Sequence, residues 1–325
     1  MQKYLNPHIN KVLTIVHMEG DRKHVSEEKQ KKTGTGLDLE FSNKHKYILA
    51  VLTIVTVALF VIQLVPIPGL SGFVSASSNS GSSSMSGGLD IGKITNNVVP
   101  ENGFKISAKW GDVVKKMVDT GALDPVKLEN ILTKRYGQEM DPEWKAILNG
   151  KDTNLEINAK NSVFMMYALW ALAKHNDNKI LHDSPFADSF GTDYDIGAGK
   201  HGYGDTKLLS LTPEQQALAT KVAENSYRPC CGQTAARPDC SHGFSALGLI
   251  QLMASQGFSE KEIFDAFIKF NSFWYPANYI QTAIYFKLNE KQDWDQVDKQ
   301  LIAGEQFSSV RGAQQVKAAL QKAGI

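Results

Sequence analysis

The sequence predicts a mainly α protein with a single N-terminal transmembrane helix, a flexible Ser/Gly tether and one extracytoplasmic all-α domain. Three observations carry this prediction. Nineteen consecutive residues from Tyr47 to Val65 lack a charge. A stretch dominated by serine and glycine follows at 71–88. Beyond it, Asp-Pro and Thr-Pro dipeptides recur ahead of apolar residues at helical spacing, the pattern of capped amphipathic helices.

In chain order, residues 1–45 read as a cytoplasmic tail. The uncharged run after them covers about 28 Å at 1.5 Å per residue, one hydrocarbon core, and only Thr53, Thr56 and Gln63 interrupt its apolarity. Residues 46–66 are therefore expected to lie in the lipid bilayer. The run starts too far from Met1 for a secretory signal and has no small-residue cleavage site close behind it, so it is expected to stay as an anchor. Lys3, Lys11, Arg22, Lys23, Lys29, Lys31, Lys32, Lys44 and Lys46 precede the span, whereas the next cation after it is Lys93. That asymmetry puts the N-terminus in the cytoplasm and the C-terminal domain outside, as a single-pass protein of the cell membrane. Pro66 and Pro68 end the helix, and residues 67–89 form the tether. Its Ser/Gly part has a root-mean-square reach of roughly 20–25 Å, which places the domain to meet an envelope or surface protein partner.

Residues 90–325 carry the globular signals. Asp124-Pro125 caps a helix that Gly137 stops, and Asp141-Pro142 repeats the device. The run Asn161–Asn176 is apolar around most of its circumference, which suits a central helix packed on several sides. Thr212-Pro213-Glu214 starts another helix, and Asp239 is expected to cap one running to Gly257. Ser259 with Glu262 forms a capping box for a helix with Ile263, Phe267 and Phe270 on one face, so the two helices make a hairpin after the cysteine loop. Pro276 begins a further helix, and a last one places Val310, Ala313, Val316 and Leu320 on one stripe. Strand signals are few.

Lysine and arginine number 35 against 34 acidic residues, so the chain lacks the positive balance that polyphosphate binding requires, and no nucleic-acid partner is expected. Hydrophobic residues at 42% with 21% charged suit one packed core, which excludes wholesale disorder and a multi-span transporter.

Cys230, Cys231 and Cys240 are the only cysteines, and His242 follows closely. A set of three thiolates and an imidazole suits tetrahedral zinc, so Cys230, Cys231, Cys240 and His242 are the candidate metal ligands. The spacing matches no standard zinc motif, and copper or iron are alternatives. Vicinal cysteines point in different directions on ordinary backbone, so both reach one ion only through a distorted turn. In an oxidising compartment Cys240 could instead pair with Cys230 or Cys231, as a structural staple or as an exchanging disulfide. Cys240 beside a helix start would favour thiolate.

The order YRPCCGQ, then a helix, then SQGFSEKEIFDAFIKFNSFWYP resembles the periplasmic thiol subunit of cytochrome c maturation over about fifty residues. In that family an arginine-cysteine motif precedes a helical hairpin, and two residues separate the cysteines, which here are adjacent. The resemblance implies thiol-disulfide exchange. YRPCC, PDCSHG and LMASQG are also similar to a family of membrane-anchored bacterial or archaeal proteins with a Cys-Cys, Cys-x-His arrangement and no assigned activity.

Weaker signals are read conservatively. GAGKHG at Gly197–Gly202 follows no apolar strand and reads as a loop, and Asp193 with Asp195 lacks the glutamate of a calcium loop. His175 and His182 sit among Asn, Asp and Lys and are expected at the solvated surface. Tyr227, Trp274 and Tyr275 are expected to pack around the cysteine loop. There is no motif of a protease, multihaem cytochrome or hydrolase, so binding rather than catalysis is the expected role.

Overall fold

Two helices that are apolar on every side find enough neighbours only at the centre of a domain, and that is where they lie. The structure, a computed structural model, describes residues 89–184, 196–197 and 204–325. The tail expected at 1–45, the span at 46–66 and the tether as far as Gly88 lie outside the described residues, as do Asp193, Asp195 and most of GAGKHG. Among the described residues no helix is long and apolar enough to cross a membrane.

The elements in order are α1 (Ile91–Val98), β1 (Phe104–Lys109), α2 (Val113–Thr120), α3 (Pro125–Tyr136), α4 (Pro142–Leu148), β2 (Asn154–Ile157), α5 (Ser162–His175), α6 (Lys179–His182) and α7 (Pro213–Glu224). There follow α8 (Ser241–Ser255), α9 (Glu260–Trp274), α10 (Pro276–Asn289), α11 (Lys299–Ala303), α12 (Glu305–Ser308) and α13 (Val310–Lys322). The domain is mainly helical, but it is not all-α. β1 and β2 pair antiparallel, Phe104 opposite Ile157, with an irregular register between Lys105 and Lys109. Each strand has only a few residues in alternating burial, too short a pattern to stand out in one sequence.

Every residue of α5 is buried, as is α8 from Ser241 to Ala254, and the two pack against each other. The approach is close because Gly248 has no side chain, and a Cβ there would overlap the carbonyl oxygen of Leu169. Ser245 Oγ donates to Met166 O across the contact at 2.6 Å, and Trp274 Nε1 of α9 donates to Ser162 O at 3.0 Å. Asn176, just past α5, receives the backbone N–H groups of Leu208 and Leu209 and donates to Gln251 Oε1. The returning chain is thereby tied to both central helices.

The caps form largely as the sequence indicates. Asp124 accepts from Val126 N at 2.9 Å, Gly137 takes φ 62° after α3, and Asp141 accepts from Glu143 N at 2.7 Å. Thr212 with Gln215, and Ser259 with Glu262, make reciprocal capping boxes. Ile263, Phe267 and Phe270 are fully buried on α9, and α8 and α9 form the expected hairpin through the left-handed Gly257.

Three readings need correction. Asp239 does not cap α8: Cys240 occupies the N-cap position and makes no side-chain cap bond, because Asp239 is held by an arginine. Val310 is 37% exposed, since it opens α13 before the buried stripe of Ala313, Val316 and Leu320. His175 is fully buried at the end of α5 rather than solvated, because that helix is enclosed over its whole length.

Candidate metal centre

The cysteines sit on the loop between α7 and α8, and backbone bonds hold that loop at its base. Tyr227 N donates to Ala303 O at 2.8 Å, Ala235 N donates to Ser226 O at 2.8 Å, and Tyr227 and Thr234 form an antiparallel bridge. On the far side Val310 N donates to Cys231 O at 3.0 Å. The loop is thus clamped between the ends of α7, α11 and α13. His242 comes from the first turn of α8, with its ring 4.7 Å from that of Tyr275 and 6.1 Å from that of Trp274. Trp274 and Tyr275 therefore pack where the sequence places them, and Tyr227 is part of the loop itself.

Three of the four candidate ligands converge. Ligand atoms of Cys230, Cys240 and His242 all lie within 4.8 Å of one another, and this group could hold a metal ion. The Cys230 and Cys240 sulfurs are 4.0 Å apart. A tetrahedral ion with bonds of about 2.3 Å separates two sulfurs by about 3.8 Å, so little movement is needed. His242 Nε2 is buried without a hydrogen-bond partner on a side chain that is 5% exposed, so the imidazole has an unsatisfied nitrogen. Cys231 has other partners. Its sulfur lies 3.8 Å from that of Cys230, but it accepts from Arg228 Nη2 at 3.2 Å, and the same nitrogen donates to Asp239 Oδ1 at 2.9 Å. All three cysteines are free thiols.

Arg228 is the residue that sequence reasoning missed. It is fully buried, and a Cβ on Gly243 would overlap its Nη1, so the glycine of PDCSHG is what lets the guanidinium lie against the start of α8. Burial alone would lower its pKa, but Cys240, Cys230, Cys231 and Asp239 outweigh this and keep it charged. The available signal was an arginine two residues ahead of the vicinal pair.

The thiols respond unequally. Hydrogen bonds to Cys231 and Cys240 push Cys230 well above the usual thiol range. The bond from Cys230 lowers Cys240 well below that range, helped by Arg228 and His242 against burial. Cys231 falls to about 7, again through Cys230 first and then Arg228. Cys230 thus keeps its proton more firmly than Cys231 and Cys240 do. Burial, then Cys230 and Cys240, raise the Tyr275 phenol well above its usual pKa, so it stays an O–H donor.

Of the other histidines, His182 is half exposed and bonds to Asp177 at 2.9 Å, as a surface residue does. His201 lies outside the described residues. A cavity of about 560 Å³ opens beside the same loop, bordered by Thr220, Glu224, Tyr227, Gln233 and Arg237, and none of the four candidate ligands lines it.

Comparison of the chain with family models, curated proteins and solved structures yields no match. The chemistry of the centre is therefore read from its own atoms.

Proposed function

We propose that this protein is a membrane-anchored, extracytoplasmic metal-binding domain whose ion is held by Cys230, Cys240 and His242. The convergence of these three ligand atoms within 4.8 Å carries the reading. The orphan Nε2 of His242 and the depressed pKa of Cys240 support it, because an ion needs a neutral imidazole and deprotonated sulfur. Zinc is the first candidate for two sulfurs and an imidazole, with copper and iron as alternatives. The uncharged run at 47–65 and the cations ahead of it support the anchor and its orientation.

The test is elemental analysis with thiol counting on the full-length protein, purified in detergent under anaerobic conditions. One metal ion per chain is expected, falling on acidification as the ligands take up protons. Cys240→Ser should abolish the stoichiometric metal. A metal-free protein with one disulfide and one free thiol would refute the assignment.

A second reading has its own observation. The 4.0 Å between Cys230 and Cys240 sulfurs also brings them close enough to oxidise with small adjustment. Rapid exchange of such a bridge with a dithiol donor, in metal-free protein, would favour a thiol-exchange role.

A further inference from the structure

Two sulfurs and one imidazole leave a tetrahedral ion one ligand short. Cys231 is the nearest remaining thiol, but Arg228 Nη2 binds its sulfur at 3.2 Å while holding Asp239 at 2.9 Å. Arg228 Nε and Nη1 are already buried without partners. Moving Cys231 to the ion would take a further acceptor from a guanidinium with no access to water, an arrangement buried charges resist.

A different group packs against the ligand set. Tyr275 Oη is buried without a hydrogen-bond partner on a side chain that is 8% exposed. Its ring packs at 4.7 Å from His242, and Cys230 and Cys240 are the thiols that act on it. Cys230 is the exposed one of the three thiols. Unsatisfied donors on Tyr275 and Arg228 beside an incomplete coordination sphere call for an acceptor of negative charge that is small enough to enter.

We propose that the centre is open: the ion on Cys230, Cys240 and His242 takes a small monodentate anion, hydroxide included, as its fourth ligand, and the Tyr275 O–H holds that anion. The proposal rests on the metal reading above. It makes the site one that exchanges a ligand with solvent, not a closed structural clasp.

The experiment uses the full-length protein loaded anaerobically with Co²⁺, whose thiolate charge-transfer and ligand-field bands report on sulfur ligation and coordination separately. Azide is the probe. In the wild type, one Co²⁺ should bind per chain and azide should shift the ligand-field bands saturably. Tyr275→Phe, titrated per bound Co²⁺, should bind azide at least about tenfold more weakly, the effect of one hydrogen bond to a charged acceptor. Cys231→Ser should still respond to azide. Should Tyr275→Phe fail to fold, the Cys231 variant still decides. A wild type deaf to azide beside a responsive Cys231→Ser would show Cys231 filling the fourth position and overturn the proposal while the metal reading survives. An azide response equal in wild type and Tyr275→Phe would remove Tyr275 from the site. Absence of any thiolate charge-transfer band would instead sink the metal reading itself.

Discussion

Arg228 is a charge without solvent, and its surroundings set the terms for two substitutions. Gly243 gives the guanidinium room, so Gly243→Ala should force it off Asp239 and Cys231. Overpacking of this kind costs about 1–3 kcal/mol, read as a lower urea midpoint at unchanged slope. Loss of stability without a change at the thiols would show that Arg228 is structural only. The thiols report on it directly. With Cys231 held at about 7, first by Cys230 and then by Arg228, its alkylation in metal-free protein should reach half its plateau rate near pH 7, against about 8.5 for an ordinary thiol. Arg228→Met removes a charge that favours thiolate. The Cys231 midpoint should therefore rise and its alkylation at neutral pH should slow, measured site by site with mass spectrometry. A midpoint that stays in place would assign the whole shift to Cys230.

Helices α5 and α8 meet through a glycine, and the helices around them are held by their caps. Gly248→Ala would press a methyl group into the Leu169 carbonyl and part the central pair. Its cost should equal or exceed the 1–3 kcal/mol of ordinary overpacking, and a variant as stable as the wild type would contradict the packing described. The caps make an acid prediction. The Ser259 hydroxyl and backbone hold Glu262 below the usual carboxylate range, and Lys160 and the Glu143 N–H do the same for Asp141. Because each folded pKa lies below the unfolded one, the unfolded chain binds more protons between the two values. Stability from these groups is complete above about pH 5, begins to fall near the unfolded values of about 4 and is lost as pH falls through the folded ones. Ser259→Ala should cost about 1 kcal/mol at neutral pH and flatten part of this acid dependence, seen in urea unfolding from neutral to about pH 3. Much of this layer is legible in the sequence, since Asp-Pro and Ser-x-x-Glu act within four residues of themselves. Asp239 reads as a cap and is not one, because Arg228, eleven positions away in the chain, binds its carboxylate first.

The proposed topology joins an uncharged run read from composition to a domain read from its packing. Protease added outside intact cells should digest epitopes beyond Gly88 and spare those before Lys46. The reverse pattern would invert the orientation and remove the oxidising surroundings from every argument about the cysteines. An ion bound by the folded domain and not by the unfolded chain should also stabilise it, by about 2.7 kcal/mol at a hundredfold excess over Kd.

The sequence by itself determined most of what local physics controls: the helices from Pro125, Pro142, Pro213 and Glu260, and the enclosed character of 162–175. It also singled out Cys230, Cys231, Cys240 and His242, because thiols and an imidazole announce their chemistry by type. Only the tertiary structure decided which of them meet. It turned Cys231 toward Arg228, put Tyr275 beside His242 and buried His175. It also paired Phe104 with Ile157 across more than fifty residues of chain. Such choices depend on groups far apart in the chain whose unpaired charges and donors become costly once water is excluded, and that cost exists only in the assembled core.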